Sequence, residues 1–316
     1  MCIRDSYRGG NMIYTVTLNP SIDYVITLDA LCKGAINRTK EEDIIYGGKG
    51  INVSMMLAHL GIPSTALGFF AGFTGEALKK GIEQQGIRTD FIPIEDGFTR
   101  INVKIHAQEE SEINGQGPLI TSAHLHQLYA KLELLQPNDI LVLSGNLPKQ
   151  VPANIYAVLM EKLHDKQIDV VVDAFGEPLR QALPQHPFLI KPNPKGVQEL
   201  FQLADLQEQD LVTCARQLQM EGARNVIISM ADKGAMLVSE TNEVYRIASP
   251  KGKVVNSVGA GDSMVAGFLY GWLKEKTYEK ALRWGVACGS ASAFCKGIAQ
   301  RAFVMEQYQK MEDDLL

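Results

Sequence analysis

The stretch VVNSVGAGDSMVAGF, residues 254–268, sets one carboxylate among glycines where a β-branched run gives way to an apolar helical pattern. A strand is expected to end near Val258. Gly259 and Gly261 permit tight turns, and a helix is expected from about Asp262, with Val265, Phe268, Leu269 and Trp272 on its apolar side. Free amides at a helix start make an anion site. Alone, the segment reads better as a glycine-rich turn whose Asp262 complements the helix dipole. It is not a dinucleotide fingerprint, because Met264 stands where the third glycine is needed and the segment lies near the C-terminus. GGKGINVS, residues 47–54, imitates a P-loop, but Gly50 rather than Ser or Thr follows Lys49, and the upstream glycine spacing is wrong.

The elements that must position these residues are legible in two patterns. From about residue 139, short β-branched runs (DILVLSG, VVVDAFG, FLIKPN, NVIISMADKG) alternate with helical spacings, the signature of βαβ units and a parallel sheet. Ligands of such sheets gather beyond the carboxyl ends of the strands. Towards the N-terminus, DYVITLD, NRTKEEDIIYGG and TRINVKIHA alternate only partially and lack connecting helices long enough for parallel pairing. They suggest a small accessory sheet inserted at about residues 22–46 and 90–110, placed as a lid over a crevice. INVSMMLAHLG and TGEALKKGIEQQG carry helical spacing and stop at Gly61 and Gly86. Met55 and Met56 are expected to pack in the core.

Composition narrows the function classes. The chain has 316 residues, 46% hydrophobic and 21% charged, with a formal net charge of -5. That balance gives no reason to expect a nucleic-acid partner, although cations could gather locally around a small anion. The longest apolar runs are too short to span a bilayer. Five cysteines (Cys2, Cys32, Cys214, Cys288, Cys295) form no C-x-x-C pair, so a disulfide framework or zinc site is not expected, and a reducing cytoplasm is. His124 and His126 read as a solvated helix end rather than metal ligands. His59, His106, His164 and His186 stand isolated. Residues 1–11, MCIRDSYRGGN, read as an extension outside the fold.

LNPSIDY (18–24), GGKGINVS (47–54), GFTGEALKKGIEQQGI (72–87), TRINVKI (99–105), LSGNLP (143–148), IKPN (190–193) and VNSVGAGDSMVAGF (255–268), in this order, resemble the ribokinase-like (PfkB) carbohydrate kinases. The resemblance runs from Met12 to the C-terminus. Within the family it is nearest the 1-phosphofructokinase and tagatose-6-phosphate kinase branches. It implies an α/β Rossmann-type three-layer α/β/α domain over 12–316 with a β-sheet lid. It also implies ATP-dependent phosphorylation of a sugar phosphate, Mg²⁺ held mainly through phosphates and water, and a homodimer formed through the lid strands.

The same resemblance assigns roles. Asp262 would be the base, and the amides of Gly259, Ala260, Gly261 and Asp262 the anion hole. Asp23, Gly47, Gly48 and Asn52 would meet the sugar, and Arg100, Lys104, Lys49 and Ser144 its phosphate. An exposed surface role is the open alternative for Lys104. Lys191, Asn193, Ser229, Ala231, Lys233, Gly234 and Ser290 would line the ATP site, with Asn193 reaching the metal only through water. Three positions depart from the family pattern. Gly196 stands where an Asn-x-x-Glu motif would place its acid, with Glu199 three residues late; Lys233 replaces a glycine or acidic turn residue; Ala71 replaces a glycine. Gly196 motivates an alternative of another class, a catalytically weakened sugar-phosphate or nucleotide sensor. The intact Gly-Ala-Gly-Asp argues against it. Among enzymes, a fructose-6-phosphate kinase is a further alternative.

Overall fold

Apolar runs bounded by polar residues become strands of a mainly parallel sheet in the computed structural model, which describes residues 12–313. The extension expected over residues 1–11 lies outside the described residues. In chain order the strands are β1 (Ile13–Thr17), β2 (Ser21–Thr27), β3 (Glu41–Gly47), β4 (Ser64–Ala71), β5 (Arg88–Thr89), β6 (Ile92–Ile94), β7 (Arg100–His106), β8 (Ser111–Asn114), β9 (Ile140–Ser144), β10 (Asp169–Asp173), β11 (Leu189–Ile190), β12 (Asn225–Ser229), β13 (Ala235–Val238) and β14 (Val244–Ile247). The helices are α1 (Lys49–His59), α2 (Gly72–Glu83), α3 (Ser122–Leu132), α4 (Ile155–Lys162), α5 (Glu177–Ala182), α6 (Pro194–Phe201), α7 (Leu211–Met220), α8 (Ala260–Glu275), α9 (Tyr278–Ala293) and α10 (Arg301–Asp313).

The large sheet runs β14-β13-β12-β11-β10-β9-β1-β4-β5, with β6 also paired to β4. Its central strands are mainly apolar because both faces are covered, with polar residues chiefly at their ends. Leu141, Leu143, Val170 and Val172 pack with α3 to α7 on one side, while Ile140, Val142 and Val171 pack with α1, α8, α9 and α10 on the other. This is the three-layer arrangement expected. A second sheet, β3-β2-β7-β8, stands apart from it.

The structure corrects four details of the sequence reading. Residues 254–258 form no strand: the edge of β12 is taken by the antiparallel β13–β14 hairpin, so this segment has no sheet partner. Its Val255 and Asn256 amides donate instead to the Ala293 carbonyl at the end of α9, leaving Val254, Val255 and Val258 about half exposed. The second lid insertion begins at Arg100 rather than near residue 90, because β5 and β6 extend the large sheet beside β4. Helix α8 starts at Ala260, two residues before Asp262. His124 is buried, not solvated: it closes a capping box with Thr121 at the start of α3 and lies 3.4 Å from Glu95.

Candidate functional site

The carboxyl ends of β1, β9, β10, β11 and β12 open into one cavity of about 1260 Å³ that the inner face of the small sheet roofs. A single small-molecule pocket is usually about 300–1000 Å³, so there is room for two reactants side by side. Although the chain is net acidic, the lining carries Lys49, Lys104, Lys191, Lys195, Lys233, Lys251 and Arg100 against Asp23, Asp173, Glu208, Asp232 and Asp262. Local cationic excess suits anionic ligands.

Asp262 sits in the first turn of α8, buried, with Oδ2 accepting a 2.8 Å bond from Asn52 Nδ2. Burial, and then the negative charge of Asp173, push its carboxyl up to about 6, against the opposing pull of the Asn52 bond and of Lys49 and Lys191. Such a group is ionised at neutral pH yet binds a proton far better than a surface aspartate. Gly259 turns the chain into the helix at φ +80°, and a Cβ there would lie 2.6 Å from Ile298. Of the four amides expected to form an anion hole, that of Ala260 donates to the Ser257 carbonyl at 3.2 Å. Those of Gly259, Gly261 and Asp262 have no acceptor among the described residues and open to the cavity.

The roof brings the expected sugar contacts together through strand register. Asp23 on β2 pairs with Ile45 on β3 and Asn102 on β7, so the three share the inward face. Ser21 Oγ and Asn102 Nδ2 each donate to Asp23 Oδ1 at 2.8 Å, leaving Oδ2 facing the Lys104 ammonium at 3.6 Å. Gly47 is bare because a Cβ would come within 3.2 Å of that same oxygen. Arg100 donates from Nε to the Asn19 carbonyl at 3.1 Å, and its partial burial lowers its proton affinity against the opposing charge of Asp23. Lys104 is no exposed lid lysine: it is held between Asp23 and Glu112, the latter at 3.1 Å. Gly48, Lys49 and Asn52 line the cavity as expected. Ser144 does not. It is buried at the end of β9, and the wall there is formed by Gly145 and Asn146.

At the other end, Lys191, Asn193, Ser229, Ala231, Lys233, Gly234 and Ser290 all reach the wall, with Ser290 bonded to Ser249 at 2.8 Å. Asn193 caps α6, its Oδ1 accepting from the Gly196 amide at 2.7 Å. Glu199 lies outside the cavity lining, more than half exposed and 4.0 Å from Lys195, so it does not supply the acid that position 196 lacks. Lys233 pairs with Glu208 at 3.0 Å.

Two residues that the sequence reading passed over are central. Asp173, the last residue of β10, is 1% exposed, and its oxygens lie 3.4 Å from Lys191 and 3.7 Å from Lys49, whose ammonium also sits 4.0 Å from the Phe175 ring centroid. Asn102 fixes Asp23. The only available signal for Asp173 was an acid ending a buried apolar strand, VVVD, next to a cavity-facing loop.

A model of the pfkB family carbohydrate kinases matches residues 16–302. The chain is 44% identical to a 1-phosphofructokinase of Bacillus subtilis, over 93% of this chain and 97% of that protein. It is 37% identical to a D-tagatose-1-phosphate kinase of Bacillus licheniformis, over 91% and 94%. Among solved structures, phosphofructokinase-2 of Escherichia coli superposes with a TM-score of 0.90 at 28% identity, covering 96% of this chain and all of that one.

Proposed function

The chain belongs to the pfkB family of carbohydrate kinases, and from that premise we propose that it is an ATP-dependent 1-phosphofructokinase, converting fructose 1-phosphate to the 1,6-bisphosphate. The observation that carries the chemistry is Asp262: a buried acid of raised proton affinity, at a helix start with uncommitted amides, between two cation-lined halves of one cavity. The choice of sugar rests on the identity to the Bacillus subtilis relative.

The C6 hydroxyl of the sugar meets Asp262, which takes its proton as the oxygen bonds to the γ-phosphorus and the bond to the β–γ bridging oxygen breaks, releasing ADP. Amides of Gly259, Gly261 and Asp262 face the charge on the transferred group. Lys49 and Lys191 flank the same point. Asp23 orients the sugar hydroxyls, while Arg100, Lys104 and Asn146 receive the C1 phosphate. Kinases of this family use a divalent metal with ATP, and we take it to be Mg²⁺, which neutralises phosphate charge when bound. The donor set fits an ion carried mainly by phosphates and water: Asp173 has two buried oxygens without hydrogen-bond donors, and Asn193 lines the same cavity.

We also infer a homodimer. The outward face of the roof carries Tyr24, Ile44, Val103 and Ile113 in one paired row across all four strands, with Ile44 and Ile113 more than half exposed. A second copy of the same face is the occupant that would cover it. No helix of the described residues is long and apolar enough to cross a membrane. The four described cysteines are free thiols, which supports placing the enzyme in the cytoplasm.

Steady-state kinetics with Mg²⁺ and ATP over fructose 1-phosphate, fructose 6-phosphate and the 1- and 6-phosphates of tagatose test the reading. Fructose 1-phosphate should give the highest kcat/KM. Equal or better use of tagatose 1-phosphate would reassign the substrate, and binding without turnover would make the protein a sensor.

A further inference from the structure

Among the described residues, six buried side-chain oxygens have no hydrogen-bond partner, and four of them belong to Thr17, Ser144 and Asp173. These three residues end adjacent strands. Asp173 pairs in register with Ser144, and Thr17 lies one residue beyond Val16, the partner of Leu143. Neighbouring strands run about 4.8 Å apart and laterally paired side chains share a face, so hydroxyl, hydroxyl and carboxylate form a row under the starts of α1 and α8. The row is almost fully buried, at 4%, 1% and 1% exposure.

A buried carboxylate needs counter-charge or donors. Asp173 has two ammonium groups nearby, but at 3.4 and 3.7 Å neither is at ideal hydrogen-bond distance. Both lysines also line the cavity, where phosphate oxygens compete for them. As they turn to phosphate, Ser144 on the adjacent, register-paired strand offers a hydroxyl with no other partner, and Thr17 lies one strand further out.

We propose that Ser144, supported by Thr17, is a positioning residue that donates to Asp173 when the phosphates draw Lys49 and Lys191 away. The carboxylate is thereby held in place beside Asp262 during phosphoryl transfer. Ser144 acts through Asp173 and touches no substrate. Its role is therefore distinct from the phosphate contact that its position in LSGNLP suggests.

The inference rests on the kinase reading, and turnover by the wild-type enzyme tests that reading before any variant is compared. Ser144→Ala should lower kcat by about tenfold to a hundredfold, the scale of one hydrogen bond to a charged group, with both KM values within about twofold. In an Asp173→Asn background the same change should alter kcat by no more than about twofold. Thr17→Val should lower kcat by about threefold and Thr17→Ser should restore it, which keeps the test open if Ser144→Ala does not fold; thermal melts monitor folding. Three results would overturn the proposal: equal losses from Ser144→Ala with and without Asp173, a loss confined to the KM for sugar phosphate, or no loss in kcat from either Ser144→Ala or Thr17→Val.

Discussion

Replacing Asp262 by Asn should cripple catalysis and stabilise the free protein, and the second effect should depend on pH. In the unfolded chain this carboxyl ionises near 3.8; in the fold it does so only at about 6. Below pH 4 it is protonated in both states and costs nothing. Between pH 4 and 6 the unfolded chain gains increasingly by ionising, and above 6 the fold carries the whole penalty. The rise corresponds to about 3 kcal/mol at neutral pH, as an order of magnitude. The substituted amide removes the buried charge while its oxygen can still accept from Asn52. For a chain of this length about 3 kcal/mol is a Tm gain of about 5 °C. The assay is a pair of pH series, Tm and kcat, on wild type and Asp262→Asn without ligands and with saturating substrates respectively. Turnover should fall by about 10² to 10⁴ with substrate binding retained, and the Tm gain should be full at pH 7–8 and vanish near pH 4. A Tm difference that is absent at pH 8, or unchanged at pH 4, would refute the electrostatic account. Turnover within a few-fold of wild type would refute the base.

Asn52→Ala removes a donor that holds the Asp262 proton affinity down, so the acid limb of kcat/KM against pH should move upward, with more activity lost at pH 6.5 than at pH 8. Asp23→Ala should raise the KM for sugar phosphate by about tenfold to a hundredfold while leaving the KM for ATP within about twofold, as separate titrations of the two substrates would show. Ile113→Lys puts a charge at the exposed end of the outward apolar row of the roof, and sedimentation velocity should then find the proposed dimer replaced by monomer.

The fold was legible where one period dominates. The runs 140–143, 170–172 and 226–228 are apolar because helices cover both faces, and such runs followed by polar residues announce a parallel sheet. The roof was harder to bound. Its strands alternate only in part, because Tyr46 on its outward face packs against Gly81 of α2 while Ile44 in the same strand is exposed. The short β5 and β6 carry too few residues for any period, so they merged with the lid. The valines at 254–258 have strand propensity, but propensity cannot reveal that β13 already occupies the edge of the sheet where they would have joined.

The site divides the same way. Asp262 and Asp23 stood in short segments whose chemistry is local: glycines that bare amides, an acid beside a turn. Asp173 and Asn102 act across the fold. Asn102 matters because register sets it opposite Asp23, 79 residues away in sequence, and Asp173 because the strand order brings β10 between β9 and β11, beneath a lysine from α1 and another from the loop after β11. Neither relation leaves a trace in spacing along the chain. Yet Asp173 adds to the effect of burial on Asp262, its negative charge being the second cause of the raised proton affinity that the proposed base needs. The two lysines pull the other way in the free protein. In the proposed reaction, phosphate oxygens that engage those lysines weaken that pull, so the anions that bring the reaction to the site would also strengthen the proposed acceptor of its proton.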